Sequence, residues 1–289
     1  MKIAYVLYLF NRSEHSIKVI QSLICNEVKE VIVFLDKPKS EKDKEQQVII
    51  LDYIDKVKDI KFNLNKRSCN YGLASSIRSG LAEVFRDGYD AAIVLEDDCV
   101  LEKNGKLFFE SGLRALKNNT QVRSLCGYLN RPHSFVFTPD SDMLLLKRFN
   151  TWGWATWANR WKDYDSDLQR LVDKEAAKGV KISDYSLDIA RYCSSEKYLK
   201  HEVDIWSVNW ILIHYITKTF CVYPYESVIC NVGFDGSGSN CAESSAFCNT
   251  IISKDELIYN WDNLNYFMEN DETIDRFMMK NSQKIYPPL

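Results

Sequence analysis

Short apolar runs alternate with amphipathic stretches through the first hundred residues. Each apolar run is rich in aliphatic and aromatic residues and ends at a polar break, which is typical of a strand, whereas the stretches between them repeat with a helical period. The pattern predicts strands at 2–10, 30–35, 60–64 and 91–95, with helices at 14–24, 39–57 and 74–86. Alternating strands and helices predict an α/β fold with a mostly parallel sheet flanked by helices.

The pattern becomes less regular after residue 100. We predict helices at 108–118, 187–199 and 205–216, and strands at 122–127, 143–147, 220–223 and 228–232. Residues 150–161 are rich in aromatic side chains without a period, 233–240 form a Gly/Ser loop, and 254–280 are polar and partly helical. We expect a single domain over residues 1–289, with a regular half (1–100), an irregular half (101–250) and a C-terminal helical extension (251–289).

Composition excludes several classes of protein. The net charge of −3 over 289 residues lacks the basic footprint of a nucleic-acid-binding protein. The nine cysteines form no CxxC pair and have no zinc-ligand spacing with histidine, and the first ten residues do not resemble a cleavable signal peptide. No run reaches the roughly 18 apolar residues of a membrane helix. We therefore expect reduced thiols and a cytoplasmic protein, with the inner face of the membrane as an alternative location.

Three consecutive acids follow the last strand of the regular half. The segment AAIVLEDDCV runs from an apolar strand directly into Glu96, Asp97 and Asp98. The carboxyl ends of strands are where open α/β sheets bind ligands. Three adjacent carboxylates repel one another, and a divalent cation such as Mg²⁺ or Mn²⁺ is the simplest compensation. The alternative is a solvated acidic turn.

Polar residues also follow the other predicted strands. They are Asn11 and Arg12 after the first strand, Asp36 after the second, and Arg67 and Asn70 after the third. Since parallel strands end at one edge of the sheet, we expect these side chains to meet the acidic triplet there. Each has a local alternative, with Asn11 as a helix cap and Asp36 and Asn70 as turn residues.

Four segments together resemble the GT-A class of nucleotide-sugar glycosyltransferases. They are YLFNRSEHSIKVIQSL, RSCNYGLASSIRSGL, IVLEDDCVLE and NTWGWATWANRWKDYD, in this order. The last is similar to a segment of a bacterial family of surface-polysaccharide transferases. The EDD triplet is similar to the metal motif of N-acetylglucosaminyltransferase I and its relatives. The resemblance extends over residues 1 to 240.

The resemblance implies a role for each residue of the regular half's edge. It implies that the donor nucleotide contacts Phe10, Asn11, Arg12, Asp36, Arg67, Asn70 and Arg78, and that Asp36 accepts a hydrogen bond from the base. It also implies that Glu96 and Asp97 face the ribose and sugar hydroxyls, whereas Asp98 binds Mn²⁺ or Mg²⁺. Such a cation offsets the charge that develops on a departing diphosphate.

An inverting transfer also needs a base that takes the proton of the acceptor hydroxyl. The resemblance places an acid just before a Trp-rich helix, which favours Asp204, with Glu202 as the second candidate. The alternative is that Asp204 only caps the helix at 205–216.

The aromatic segment and the late loop complete the resemblance. Trp152, Trp154 and Trp157 are expected to form a wall over the sugar, with packing into the core as the alternative. Many enzymes of the class supply a second metal ligand, often a histidine, from a late Gly/Ser loop. Here Asn240 stands at that place. The metal site would then depend on Asp98, the diphosphate and waters.

These observations predict a metal-dependent inverting glycosyltransferase, of the hexosyl- or N-acetylhexosaminyltransferase class. Its donor is a nucleotide-diphosphate sugar, with a UDP-sugar favoured, and its acceptor is a glycan or lipid-linked glycan of capsule or O-antigen type. A nucleotidyltransferase is a second hypothesis, although FNRSEHS after the first strand lacks the glycines of a phosphate loop. A catalytically decayed glycan-binding protein is a third. Aromatic residues within 261–278 suggest a homodimer or peripheral membrane contact, or simply a covering helix.

Overall fold

The computed structural model describes residues 1–131, 143–200, 202, 204–236, 258–264 and 268–285. Its strands are β1 (Ile3–Leu9), β2 (Glu30–Leu35), β3 (Lys61–Lys66), β4 (Ala91–Glu96), β5 (Cys99–Leu101), β6 (Val122–Cys126), β7 (Met143–Leu146), β8 (Trp154–Trp157), β9 (Phe220–Pro224) and β10 (Ile229–Asn231). Its α-helices are α1 (Ser13–Cys25), α2 (Glu41–Lys56), α3 (Gly72–Arg86), α4 (Gly105–Ala115), α5 (Ala158–Trp161), α6 (Leu168–Ala176), α7 (Leu187–Cys193), α8 (Glu196–Leu199), α9 (Trp206–Thr217) and α10 (Met268–Ile285). A 3-10 helix spans Ile182–Asp184.

The main sheet has eight strands in the order β3-β2-β1-β4-β8-β6-β9-β7. The first four are parallel to one another, and β6 and β9 run in the same direction, whereas β8 and β7 are antiparallel to their neighbours. A second ladder joins β5 and β10. The prediction of an α/β fold with a mostly parallel sheet and flanking helices is therefore confirmed.

The sheet is covered on both faces. One face packs against α3, α9 and α10, and the other against α1, α2 and α4. In β4, Ala92 and Val94 point to the first face while Ala91, Ile93 and Leu95 point to the second, and all five are fully buried. A strand buried on both faces needs a continuous apolar run, which is what the sequence of β4 provides.

The predicted elements of the regular half agree with the structure to within a few residues. The irregular half differs more. Residues 150–161, expected to lack regular structure, contain β8 and α5. Every residue of β8 is buried, so the strand has no alternation of polar and apolar positions by which it could be recognised. The helix predicted at 187–199 is two short helices, α7 and α8, since the side chain of Ser195 accepts the Tyr198 N–H and starts a new helix. We did not predict α6 or β5.

The helix α10 is held by a buried ionic cluster. The Arg148 guanidinium donates to both oxygens of Asp188 at 2.6 and 2.7 Å and lies 3.9 Å from Asp275 of α10. The Tyr215 hydroxyl donates to Asp275 at 3.0 Å, and Asp271 accepts the Lys147 N–H at 2.9 Å. The described part of residues 254–280 therefore supports the alternative of a covering helix. No helix among the described residues has the length and apolar character needed to cross a bilayer.

Stability should depend on pH through Asp275. Burial raises the pKa of Asp275 from 3.8 to about 6 and outweighs the attraction of Arg148. The folded state therefore binds the proton of Asp275 more tightly than the unfolded state does. The stabilisation that this proton gives the folded state is complete below pH 4 and is lost as the pH rises through 6. We expect Asp275→Asn to raise the free energy of unfolding at pH 8 by up to about 3 kcal/mol, and by about half as much at pH 5.

Urea denaturation of both proteins at the two pH values measures this difference. Asp262→Asn, at an exposed position, is the matched control and should show no such dependence. An equal gain for Asp275→Asn at both pH values would contradict the assignment.

Candidate active site

The carboxyl edge of the parallel strands gathers the acidic triplet and the residue that compensates it. Arg12 follows β1 directly, and β1 pairs with β4 in a register that sets Tyr8 opposite Glu96. The Arg12 Nε donates to Asp97 Oδ2 at 3.1 Å, and its Nη2 donates to Asp98 Oδ2 at 2.9 Å and also contacts Asp97 Oδ1. All three side chains are largely buried, so the alternative of a solvated acidic turn is wrong.

The contact with Asp97 and Asp98 gives Arg12 an electrostatic role that the resemblance does not imply. Burial opposes the charge on the guanidinium, but Asp97 and Asp98 outweigh burial and raise the pKa of Arg12. A fork-shaped guanidinium bound to two carboxylates is a strong, directional contact. Arg12 therefore supplies part of the positive charge that the triplet needs, and its contact with the nucleotide stays a prediction.

One arginine does not neutralise three acids. Burial raises the pKa of Glu96 to about 8, and the charges of Asp98 and Asp97 add to this effect. Burial also raises the pKa of Asp97, although Arg12 opposes the shift. At pH 7 the Glu96 carboxyl is mostly protonated and the group carries a net charge of about −1, and with all three acids ionised it carries −2 (three carboxylates less one guanidinium). The edge therefore keeps an electrostatic demand for further positive charge.

A late segment of the chain lies directly on Asp98. The strand β10 pairs antiparallel with β5, which immediately follows the triplet. From this ladder the Asn231 Nδ2 lies 3.4 Å from Asp98 Oδ1, and the Val232 N–H donates to the Asp98 carbonyl at 2.9 Å. A Cβ added to Gly233 would lie 2.3 Å from Asp98 Oδ2. Only glycine allows the backbone to approach the carboxylate this closely.

Asp235, two residues after Gly233, contacts a histidine of α1. Asp235 Oδ2 lies 3.1 Å from His15 Nε2, and His15 is close enough to Asp97 to influence its charge. This pair is not predictable from the sequence, because His15 and Asp235 are 220 positions apart and no local motif joins them. Asn240, expected to replace a metal ligand, lies outside the described residues.

The described residues could bind a divalent cation only if a substrate supplied some of the ligands. No three His, Cys, Asp or Glu side chains among residues 1–131, 143–200 and the later described segments form a ready-made metal cluster. Mg²⁺ sites, however, often use one or two carboxylates together with substrate phosphates and waters. Asp98 provides hard oxygen ligands beside surplus negative charge, which suits that kind of site.

Asp36 and Asn70 organise the start of α3. The Asp36 carboxylate is buried and accepts the N–H groups of Tyr71 and Gly72 at 3.1 and 2.9 Å. The Asn70 amide donates to the Lys37 carbonyl at 2.9 Å. Gly72 has a φ of +71°, which favours glycine at this turn. The turn-residue alternatives account for these contacts, and recognition of a base by Asp36 stays a prediction.

Phe10 and Asn11 lie at the same edge, next to α2. The Asn11 amide donates to Asp43 Oδ1 at 2.6 Å, so it ties the end of β1 to the first turn of α2. Phe10 is half-buried, with the Lys39 ammonium 6.0 Å from its ring centre. Their predicted contact with the nucleotide is untested.

Arg67 has an internal role. Its guanidinium donates to Glu83 at 2.6 Å and to Ser79 at 3.2 Å, and it stacks over the Phe34 ring at 4.5 Å. The side chain is only 9 % exposed. The structure therefore gives Arg67 an ion pair within the fold, and its predicted contact with the nucleotide or diphosphate stays a prediction.

Arg78 and Asp204 meet although they are far apart in sequence. Arg78, on α3, donates to the two Asp204 oxygens at 3.1 and 2.6 Å. Asp204 precedes α9, but the cap position is Ile205 and no side chain caps the helix, so the cap alternative for Asp204 is wrong. The carboxylate is 55 % exposed and accessible to a ligand. Glu202 is exposed as well, with its N–H bonded to the Lys197 carbonyl.

The predicted tryptophan wall is mostly core. Trp154 is completely buried and stacks on Trp206 at 5.2 Å, and Trp157 is buried on the opposite face. The core alternative is therefore correct for Trp154 and Trp157. Trp152 is also buried, but its ring packs at 4.9 Å against Phe234, the residue after the glycine that covers Asp98. Trp152 thus links the aromatic segment to the acidic edge.

Comparison with known proteins gives similarity at the level of structure alone. No family model and no curated protein matches the chain. Solved structures that resemble it include the mannosyltransferase PcManGT from Pyrobaculum calidifontis in complex with GDP-Man and Mn²⁺, with 10% identity, a TM-score of 0.42, and coverage of 56% of this chain and 46% of that one. TarS 1–349 from S. aureus in complex with UDP-GlcNAc has 10% identity and a TM-score of 0.40, and the match covers 57% and 48% of the two chains. A cytidylyltransferase from Leptospira borgpetersenii has 12% identity, a TM-score of 0.35, and coverage of 62% and 73%. The chain thus matches about half the length of the first two proteins.

Removal of Arg12 should make the protein depend on added cations. We expect Arg12→Gln to lower the free energy of unfolding by about 3 kcal/mol, because it leaves two buried carboxylates unpaired. Mn²⁺ should then stabilise the variant more than it stabilises the wild type, since a ligand that binds only the folded state raises its stability. Thermal unfolding with EDTA and with MnCl₂ measures both effects.

Arg276→Gln is the matched control, because it breaks an arginine–glutamate pair with Glu272 in which both side chains are exposed. That variant should behave as the wild type does. Equal Mn²⁺ shifts in Arg12→Gln and the wild type would show that the cation does not bind at the triplet.

Proposed function

We propose that this protein is a metal-dependent inverting glycosyltransferase of the GT-A class. The observation that carries the proposal is the convergence of three distant parts of the chain, Arg12, residues 96–98 and residues 231–233, around the Asp98 carboxylate at the carboxyl edge of the sheet. Ligands of open α/β sheets bind at this edge. The cluster offers oxygen ligands and excess negative charge, whereas a nucleotide-binding site without a cation would repel a diphosphate.

On this proposal the donor is a nucleotide-diphosphate sugar, with a UDP-sugar favoured. Asp98 would hold Mn²⁺ or Mg²⁺ together with the donor's phosphates, and the cation would stabilise the diphosphate as it departs. Arg12 keeps Asp97 and Asp98 in fixed positions. The backbone at Gly233 covers Asp98 and excludes water from one side of the carboxylate.

Asp204 is our candidate for the base. Its carboxylate is exposed enough to meet an acceptor hydroxyl, and the two hydrogen bonds from Arg78 hold it in one orientation. In an inverting transfer the acceptor oxygen attacks the anomeric carbon, its proton passes to the base, and the bond from that carbon to the diphosphate breaks. Arg78 lies beside this base, so it can also face an anionic group of a substrate.

The finer parts of the proposal come from the sequence resemblance. The acceptor is a glycan or lipid-linked glycan of a bacterial capsule or O-antigen type surface polysaccharide, and the transferred group is a hexosyl or N-acetylhexosaminyl residue. The reaction takes place in the cytoplasm or at the inner face of the membrane.

Asp98→Asn should abolish the release of nucleotide diphosphate. Since the amide cannot offset the cation's charge, we expect turnover to fall by roughly 10²–10³-fold, together with loss of Mn²⁺-dependent nucleotide binding. A panel of nucleotide sugars with Mn²⁺ and detection of the released nucleotide provides the assay. Asp87→Asn, at an exposed position, is the control. Release of pyrophosphate from a nucleoside triphosphate by the wild type would identify a nucleotidyltransferase instead.

Asp204→Asn should separate binding from chemistry. The amide keeps a hydrogen bond to Arg78 but takes up no proton, so donor affinity should persist while turnover falls by roughly 10²–10⁴-fold. Calorimetric titration with nucleotide and Mn²⁺ measures the affinity, and the transfer assay measures turnover. Loss of turnover in Glu202→Gln, with normal turnover in Asp204→Asn, would assign the base to Glu202.

A further inference from the structure

A small cavity lies beside the acidic edge, between the sheet and the helices of the irregular half. Its apolar walls come from Leu129, Phe149, Trp152, Ile211, Ile274 and Met278. Leu129 follows β6 and Trp152 precedes β8, so the cavity opens at the carboxyl edge of the sheet. The volume is about 60 Å³. At roughly 10–15 Å³ for each water, this space holds about four to six water-sized groups, which is enough for a substituent of four heavy atoms.

One buried side-chain amide in the cavity wall lacks a hydrogen-bond donor for its carbonyl oxygen among the described residues. Asn130 is 6 % exposed and lines the cavity, and its Oδ1 has no hydrogen-bond partner in the described part of the chain. An unpaired buried carbonyl costs about 1–3 kcal/mol. Since no hydrogen bond fixes this end of the amide, it can turn toward a donor that enters the cavity.

The cavity is connected to both parts of the candidate active site. Trp152 packs on Phe234, and Gly233, one residue earlier, lies against Asp98. Ser207, which also lines the cavity, is three residues after Asp204 at the start of α9. A substrate group in the cavity would therefore belong to a molecule that lies between the acidic edge and the candidate base. In the transfer the donor sugar lies next to the diphosphate and the acceptor sugar lies next to the base, so a cavity that reaches the start of α9 through Ser207 belongs to the acceptor.

We propose that this cavity binds the acetamido group of the acceptor sugar. An acetamido group has four heavy atoms, a methyl group for the apolar walls, and an N–H that pairs with Asn130 Oδ1. A hydroxyl at the same position would leave most of the cavity empty, which forfeits the apolar contact. The proposal rests on the proposed function for the identity of the acceptor, whereas the binding of an acetamido sugar is testable without turnover.

Saturation-transfer NMR on the full-length protein tests the binding directly. The probes are N-acetylglucosamine and N-acetylgalactosamine, each compared with glucose and galactose. We expect the acetamido methyl protons to receive the strongest saturation, and the parent sugars to bind about tenfold more weakly because they lack the amide. Equal signals from the acetamido and parent sugars, or no methyl signal at all, would overturn the proposal.

Two variants locate the signal in the cavity. Asn130→Leu removes the amide at similar volume, and Ile274→Phe fills the space from α10. Both should weaken acetamido binding about tenfold while thermal unfolding shows a folded protein. Asn118→Leu, at an exposed position, is the control. A methyl signal unchanged in both folded variants would place the sugar elsewhere and overturn the proposal.

The outcome separates this proposal from the proposed function. Acetamido binding that persists in a protein with no nucleotide-sugar turnover would leave the cavity assignment in place and reject the transferase. Transfer to glucose-type and acetamido-type acceptors with equal efficiency would reject the cavity assignment and leave the transferase in place.

Discussion

Repulsion among three carboxylates at the end of β4 is the constraint that organises this edge of the molecule. Glu96 ends β4 and Asp97 and Asp98 follow it, and the other five positions of the strand are apolar, so the compensation of the three acids must come from other segments. Arg12 provides it, because β1 lies next to β4 and ends at the same level. The raised pKa of Glu96 shows that this compensation is incomplete. A site with residual negative charge and buried oxygen ligands is suited to a cation brought in with a phosphate.

The irregular half completes this edge through two pairings. β8 inserts antiparallel between β4 and β6 and places the turn before Trp154 beside the triplet. The short ladder of β5 with β10 carries the backbone at Gly233 onto Asp98. The aromatic residues of this half mostly fill the core. Their contribution to the site is indirect, since the contact of Trp152 with Phe234 supports the segment that covers Asp98.

The sequence predicts the regular half well because each strand there is an apolar run that ends at a polar break, and each helix repeats with a helical period. It also predicts that Arg12 and the triplet share an edge. It does not predict which arginine reaches the acids, because Arg12 and Arg67 both follow strands and only the fold gives Glu83 to Arg67. β8 has no alternation to detect, since the sheet buries both its faces. The pairing of Arg78 with Asp204 spans 126 positions and leaves no local signal.

The two arginine–carboxylate pairs differ in burial, and this difference assigns them different behaviour. Arg12 is 17 % exposed and its partners 10 % and 13 %, so separating them costs the desolvation of buried charges. Arg78 is 24 % exposed but Asp204 is 55 % exposed, and such surface pairs contribute about 0–1 kcal/mol. On the proposed function, the contact of Arg12 with Asp97 and Asp98 persists and preorganises the donor side. On the acceptor side, a substrate hydroxyl can replace Arg78 as the partner of Asp204 at little cost. A base needs this freedom, because a carboxylate held permanently by an arginine accepts a proton poorly.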